Sequence, residues 1–466
     1  MKKLLSSRRA RGQSTLEIII AITVLAAGII AAIMMLFGGQ SISIDSQTSS
    51  IALRMAQSEL ELIESRSHYD FAGIVSASTT EGEFTRELIV EELDANTKEV
   101  TVRVSWRTDP LRLQNIELTT LITGWQEEEA LGGDTGGGGL AGDWNNPRTL
   151  GTVNLAPPAG IQATDLDVLN KIIYISVVHG AESSNDFFVV NAEDGENPYI
   201  VANINTGSGL NALDAVLDYV FAAHNKISSQ LQVIDATNKT NPLLVAELTL
   251  PGASGSGAVG WSLFFYNNMV YMGTKSATGP EFHIIDVSAP TSPVHLGSFE
   301  VGADINEIRV VGSTAFLATS DDQKELLMLD VSDPAAISEA GFLDAPGSRD
   351  AKSLFLTGTT LYLGRVTGQN DDLRLLDVSN PAMPATLGTV NIGHDVTGLV
   401  VRDYLVFMTT SASNEEFQVW NISDPANAFK VSGFNFPQVA NGIDYEDNLV
   451  YVAVRSNDGL RIITSQ

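Results

Sequence analysis

The sequence predicts a multidomain fold: a long N-terminal α-helix with a small antiparallel sheet, then an all-β, seven-bladed propeller. Three observations predict it. An apolar run, Ile18–Phe37, follows a basic start. Short alternating segments rich in Val, Ile and Thr occupy residues 83–125. A motif of about 45 residues then recurs to the end of the chain.

At 466 residues the chain exceeds one ordinary core, so more than one domain is expected. A net charge of -29 excludes nucleic acid as an expected partner, because phosphates would be repelled. With no Cys, disulfides, thiolate metal sites and a Cys nucleophile are excluded.

The first eleven residues hold Lys2, Lys3, Arg8, Arg9 and Arg11 and no acid. The apolar run beyond them is long enough to cross a bilayer core of about 30 Å. The flanking charge predicts a single-pass segment in the cytoplasmic membrane with its N-terminus inside. Gly12-Gln13-Ser14-Thr15-Leu16-Glu17 stands at the junction, with Glu17 at the mouth of the apolar helix. A carboxylate there is costly without a partner.

A basic leader, a Gly, and Glu at the fifth mature position resemble the class III signal of type IV pilins and type II secretion pseudopilins. The resemblance implies cleavage between Gly12 and Gln13 by a prepilin peptidase and N-methylation of Gln13. It implies that Glu17 pairs with the N-terminal amine of a neighbouring subunit during assembly. The family usually has Phe where this chain has Gln13. Residues 1–12 are then the leader and 13–67 the transmembrane and assembly helix. Ile51, Met55, Leu60, Leu62 and Ile63 form the apolar face of its second half.

Residues 68–125 predict a small antiparallel meander with strands over 83–93, 98–107 and 114–125. In this context the pattern resembles the globular domain of minor pilins. Residues 126–144 are acidic and Gly-rich and read as a linker.

Residues 145–466 repeat. Asn191, Asp235, Asp286, Asp330, Asp377 and Asn421 each end an apolar strand and precede a polar turn that usually contains Pro. Two further strands lie between successive markers, giving the four strands of a propeller blade. The last repeat lacks its final strand. Residues 145–155 match the missing segment closely and predict that the N-terminal strand closes the ring. The Asp-Val-Ser-x-Pro pattern resembles the LVIVD-type repeat. The recurring Asp suits turn amides better than a ring of metal ligands.

No catalytic motif is present, so no enzyme activity and no catalytic residue are assigned. The six His (His68, His179, His224, His283, His295 and His394) form no metal motif in sequence. His179 and His224 fall at equivalent points of consecutive blades. Ser183-Ser184-Asn185-Asp186, Asp321-Asp322 and Asp371-Asp372 recur at one loop, where Ca2+ and solvated turns are the two readings. No other cofactor or metal is expected.

These features predict a minor type IV pilin-like subunit that presents a propeller as an adhesion or ligand-binding head on an extracellular filament. Its expected partners are other pilin subunits, the prepilin peptidase, the inner membrane before assembly, and a surface ligand, protein or glycan. A membrane-anchored extracellular propeller enzyme and a type II secretion pseudopilin are the alternatives.

Overall fold

A computed structural model describes residues 48–49, 51–60, 63, 74–82, 84–94, 97–109, 112–123, 140–155, 162–178, 184–368, 371–455 and 459–466. The chain divides into two compact units, one of residues 1–66 and 72–122 and one of residues 67–71 and 123–466.

The first unit corrects the expected fold class. Helix among its described residues is confined to 48–49, 51–60 and 63, and the described structure is otherwise nearly all β. Ten residues at 1.5 Å rise reach about 15 Å, half the thickness of a bilayer core. No helix among the described residues is long and apolar enough to cross a membrane, so the single-pass membrane location is corrected as well. The leader and the run Ile18–Phe37 lie outside the described residues.

Residues 51–60 stay helical by docking on a sheet. Ala52 and Ala56 are fully buried in a cluster with Phe84, Val102, Val104 and Trp106. Their small side chains allow close approach, and Arg86 holds Glu59 at 2.9 Å. Ile51, expected on the apolar face, is 42% exposed, because the buried stripe passes through Ala52 and Ala56 instead.

The sheet has four antiparallel strands in sequential order: Ala77–Glu81, Phe84–Asp94, Thr97–Asp109 and Arg112–Thr123. The first, ASTTE, is too polar to show the alternation of a strand. It forms because Gly82, at φ 63°, turns the chain tightly enough to pair Glu81 with Phe84. Along the third strand Val100, Val102, Val104 and Trp106 face the core. On the opposite face Arg103 bridges Glu87 at 2.8 Å and Glu117 at 2.7 Å across both neighbouring strands.

The second unit holds seven four-stranded antiparallel blades. Blade 1 spans Gln162–Ile204, blade 2 Leu210–Leu248, blade 3 Gly260–Phe299, blade 4 Ile305–Leu343, blade 5 Ala351–Val390 and blade 6 Val396–Phe434. Blade 7 combines Ala440–Thr464 with Arg148–Val153, which pairs with Leu460–Thr464 as the outermost strand. In each blade we name the strands a to d from the inside outward. The a strands of successive blades touch all the way round, blade 7 against blade 1 included, so the ring is closed.

The same physical devices recur in every blade. The third residue of each b strand is an aromatic: Tyr174, Phe221, Tyr271, Phe316, Tyr362, Phe407 and Tyr451. These rings fill the wedges between blades. The fourth residue of each d strand is small: Gly151, Ala202, Ala246, Gly297, Gly341, Gly388 and Ser432. At Gly297 the Pro334 carbonyl of the next blade comes so near that an added Cβ would meet it at 1.7 Å.

The marker residues make turns. Asn191, Asp235, Asp286, Asp330, Asp377 and Asn421 each accept a hydrogen bond from the backbone amide two residues on, at 2.8–3.0 Å. The end of the predicted linker also packs. Trp144 is 3% exposed, sits 4.6 Å edge-on to Phe407, and accepts at its carbonyl from Ser432 Oγ at 2.7 Å. Asp143 pairs with Gln466 through the backbone. An indole supplies enough apolar surface to hold residues that composition alone assigns to a linker.

Candidate ligand-binding channel

The seven a strands line a central channel. Opposite the b-strand aromatics, one register position of each a strand faces it: Asp167, Asp214, Phe264, Arg309, Phe355, Val400 and Asp444 in blades 1 to 7. The ring is lopsided. Blades 7, 1 and 2 bring three carboxylates side by side, with Asp165 beside them. The far wall carries Phe264, Phe355 and Val400. Arg309 lies between, 5.1 Å over the Phe264 ring and 2.6 Å from Glu307.

The carboxylates also hold the ring together. Asp444 accepts from Val168 N of blade 1 at 2.9 Å, Asp167 from Ala215 N of blade 2 at 2.6 Å, and Asp214 from Phe265 N of blade 3 at 2.7 Å. Glu446 accepts from Asn170 N and Lys171 N at 2.7 and 2.8 Å. Three successive blade junctions, starting at the blade that contains both ends of the propeller chain, are thus clasped by acids. A second girdle lies at the start of the a strands. There Thr164, Asn211, Asn306 and Thr397 each donate to a backbone carbonyl of the next blade at 2.6–2.8 Å.

Such crowding has an electrostatic consequence. Asp165 and Asp214 are half-buried at the channel surface, with protein crowded around them. Desolvation is the main cause that raises each of them to about 7. Asp167 and Asp444 rise well above the usual carboxylate range, first through burial and then through the charges of Asp214 and Asp167 respectively. Glu307 is raised by burial, with Arg309 opposing. Burial works against the Arg309 charge, but Glu307, Asp214 and Asp165 outweigh it and its pKa is raised. The channel therefore holds carboxyl groups that share protons near neutral pH and a guanidinium that stays charged.

Gly12, Gln13 and Glu17 lie outside the described residues, as do His68, His179 and Ser183. The loop acids behave as scaffold. The residue just before each c strand of blades 1 to 6 is Asp186, Gln230, Glu281, Glu325, Asp372 or Glu416. Each accepts from a backbone amide just beyond its own d strand, at 2.7–3.0 Å. Asp371 joins a buried network instead, held at 2.7 Å by both Arg365 and Arg374, while Arg365 also reaches Glu325 at 3.3 Å. Asp321 accepts from Gln323 N at 2.8 Å in a turn. Among the described residues no three His, Asp or Glu are grouped to hold a metal ion.

Of the remaining histidines, His394 is exposed on a loop. His224 is buried and spans the loops of blade 2, with Nδ1 2.8 Å from Ser229 O and Nε2 accepting from Ser208 N at 3.1 Å. The structure does bring together two histidines that the sequence leaves apart. His283 Nδ1 lies 3.2 Å from His295 Nε2. Burial lowers both, His283 to about 4. The channel acids and this pair escaped sequence reasoning. The acids do not recur in every blade, and the histidines are separated by the c–d turn.

Three stretches of the chain, residues 267–301, 304–344 and 348–392, match the family model of the LVIVD repeat. They correspond to most of blade 3, blade 4 and blade 5. No curated protein matches the chain. A chain from a crystal structure of the mitotic checkpoint complex is similar with a TM-score of 0.52 at 13% identity, covering 69% of this chain and 95% of that one. Virginiamycin B lyase from Staphylococcus aureus is similar at 0.51 and 12% identity, covering 69% of this chain and 100% of its own. At these identities the likeness concerns fold alone. The chain carries LVIVD-type repeats within a β-propeller domain.

Proposed function

We propose that the propeller is a ligand-binding head, and that its ligand presents a cationic group to the central channel. The lopsided ring carries this reading. Asp444, Asp167 and Asp214 form one wall, and Phe264, Phe355 and Val400 form the other, with Arg309 between the two Phe. An ammonium or guanidinium beside the acids would pull their raised pKa values down and be held by the charge so formed. Its alkyl stem would lie against the aromatic wall. Lysine- or arginine-bearing protein surfaces have this chemistry, in keeping with an adhesive head. Binding rather than catalysis is the assignment.

Calorimetry with short lysine- and arginine-containing peptides near pH 6.5 tests it. Binding should release protons, so the heat should vary with the ionisation enthalpy of the buffer. Asp167→Asn and Asp444→Asn should weaken it at least tenfold. Peptides that bind these variants as well as the parent, or that do not bind the parent, refute the reading.

The N-terminus is a separate part of the proposal and rests on sequence resemblance alone. Gly12 and Gln13 form a prepilin-type processing site, and Glu17 pairs with the amine of a neighbouring subunit. Mass spectrometry of the mature chain should find methylated Gln13 as its first residue. An intact Met1 overturns this part and leaves the channel reading untouched.

A further inference from the structure

The geometry points to an open two-histidine metal site on blade 3: His283 and His295 take a borderline divalent cation, Cu2+, Ni2+ or Zn2+, between Nδ1 of the first and Nε2 of the second. Four observations carry it. The two nitrogens are 3.2 Å apart. Two imidazole nitrogens bound to one Zn2+ at about 2.1 Å with tetrahedral geometry lie roughly 3.4 Å apart. The observed gap therefore accepts a metal with a shift of a few tenths of an ångström.

The second observation is how His283 is held. Its Nε2 stands 2.9 Å from Pro280 O. A carbonyl only accepts, so Nε2 carries the proton and Nδ1 presents a lone pair. An imidazole whose far nitrogen donates to a backbone carbonyl is oriented as metal-ligating histidines are. The third is burial. His283 is fully buried in strand Phe282–Asp286, while His295 in strand Val294–Phe299 is partly open, which gives an entry path. The fourth is the register shift between Ile284 and Ile285, which sets His295 opposite Ile285 and within reach of His283.

In the structure the two rings, with centroids 5.3 Å apart and planes at 60°, share a hydrogen bond. Since Nδ1 of His283 accepts, His295 donates from Nε2. Metal binding moves that proton to Nδ1 of His295 and releases none to solvent. The metal then lies off the line between the nitrogens, and His295, the more exposed ring, turns to meet it. No Asp, Glu or third His joins the pair among the described residues. The other coordination positions fall to water or to a donor on a bound molecule. Copper should bind most tightly, in the usual order for nitrogen ligands.

The test is Cu2+ titration of the full chain without an affinity tag, read by electron paramagnetic resonance and calorimetry. One equivalent should bind with two-nitrogen hyperfine structure and a heat that does not depend on the buffer. His295→Gln, at a partly exposed position, should keep the parent melting temperature in the absence of metal and lower the affinity at least tenfold. Zn2+ should compete for the same equivalent. Two results overturn the proposal: no equivalent bound by the parent beyond that of His295→Gln, which leaves a hydrogen-bonded pair only, or a two-nitrogen signal that persists in the variant.

Discussion

Replacing Asp214 with Asn should make the propeller more stable in alkali and leave it unchanged in acid. The usual carboxylate value is 3.8, and enclosure in the channel raises Asp214 to about 7. Well below pH 3.8 the group is protonated in both folded and unfolded chains and the folded state loses nothing. As pH climbs, the unfolded chain ionises first, and stability falls until the folded carboxyl also ionises near 7. Beyond that it levels off. The full gap corresponds to ~4 kcal/mol. Asp167 titrates with Asp214, and the charges of Asp165 and Asp444 also raise Asp214, so the single change should recover on the order of 2–4 kcal/mol. The Asn carbonyl still accepts from Phe265 N, which Asp214 binds at 2.7 Å, so the clasp between blades 2 and 3 survives. Scanning calorimetry at pH 4.5 and 8.5 reads the effect. Asp214→Asn should melt roughly 5–10 °C above the parent at pH 8.5, and within about 2 °C of it at pH 4.5. A variant that is less stable than the parent by the same margin at both pH values refutes the reasoning. It would mean that the carboxylate is charged throughout and that its hydrogen bond outweighs its desolvation.

Three further outcomes follow from the packing. Gly297→Ala forces a Cβ to 1.7 Å from Pro334 O and should cost at least ~2 kcal/mol in urea unfolding, whereas Ala202→Gly, at the same place in blade 1, should cost under ~1 kcal/mol. Arg365→Ala strands the buried Glu325 carboxylate and should lower the melting temperature by the equivalent of about 3–5 kcal/mol, while Arg365→Met should recover part of that loss. Trp144→Ala removes a ring that is 3% exposed and should cost about 3–5 kcal/mol, measured as a shift in the denaturation midpoint.

What the sequence makes legible is what recurs. Six Asp or Asn residues at similar spacing mark the c–d turns of blades 1 to 6, and each does the same local thing in its own blade. Closure was legible for the same reason, since residues 145–155 fill the slot that a final repeat leaves empty. The channel was not, because it depends on breaking the repeat. Asp167, Asp214 and Asp444 share a register with Phe264, Arg309, Phe355 and Val400, and only the assembled ring turns those differences into two opposing walls. Of the acids before the c strands, Asp186 and Asp372 stand in clusters visible in the sequence. Their role is not visible there, because the amides they cap lie about 20 residues further on. In the first unit, ASTTE carries no hydrophobic period, and it is the turn at Gly82 and the neighbouring strand that make it a strand.

The outer strand of blade 7 also sets the order of events during synthesis. Val153 pairs with Leu460, so Arg148–Val153 emerges about 300 residues before its partner. At 5–20 residues per second it waits roughly 15–60 s with its edge open. Blades 1 to 6 are each contiguous and can pair their strands as they emerge. Only the final residues let the first strand dock, so the last ladder to form certifies that the whole ring has been made. A nascent chain stopped short of Leu460 would expose both an unpaired strand and an open blade.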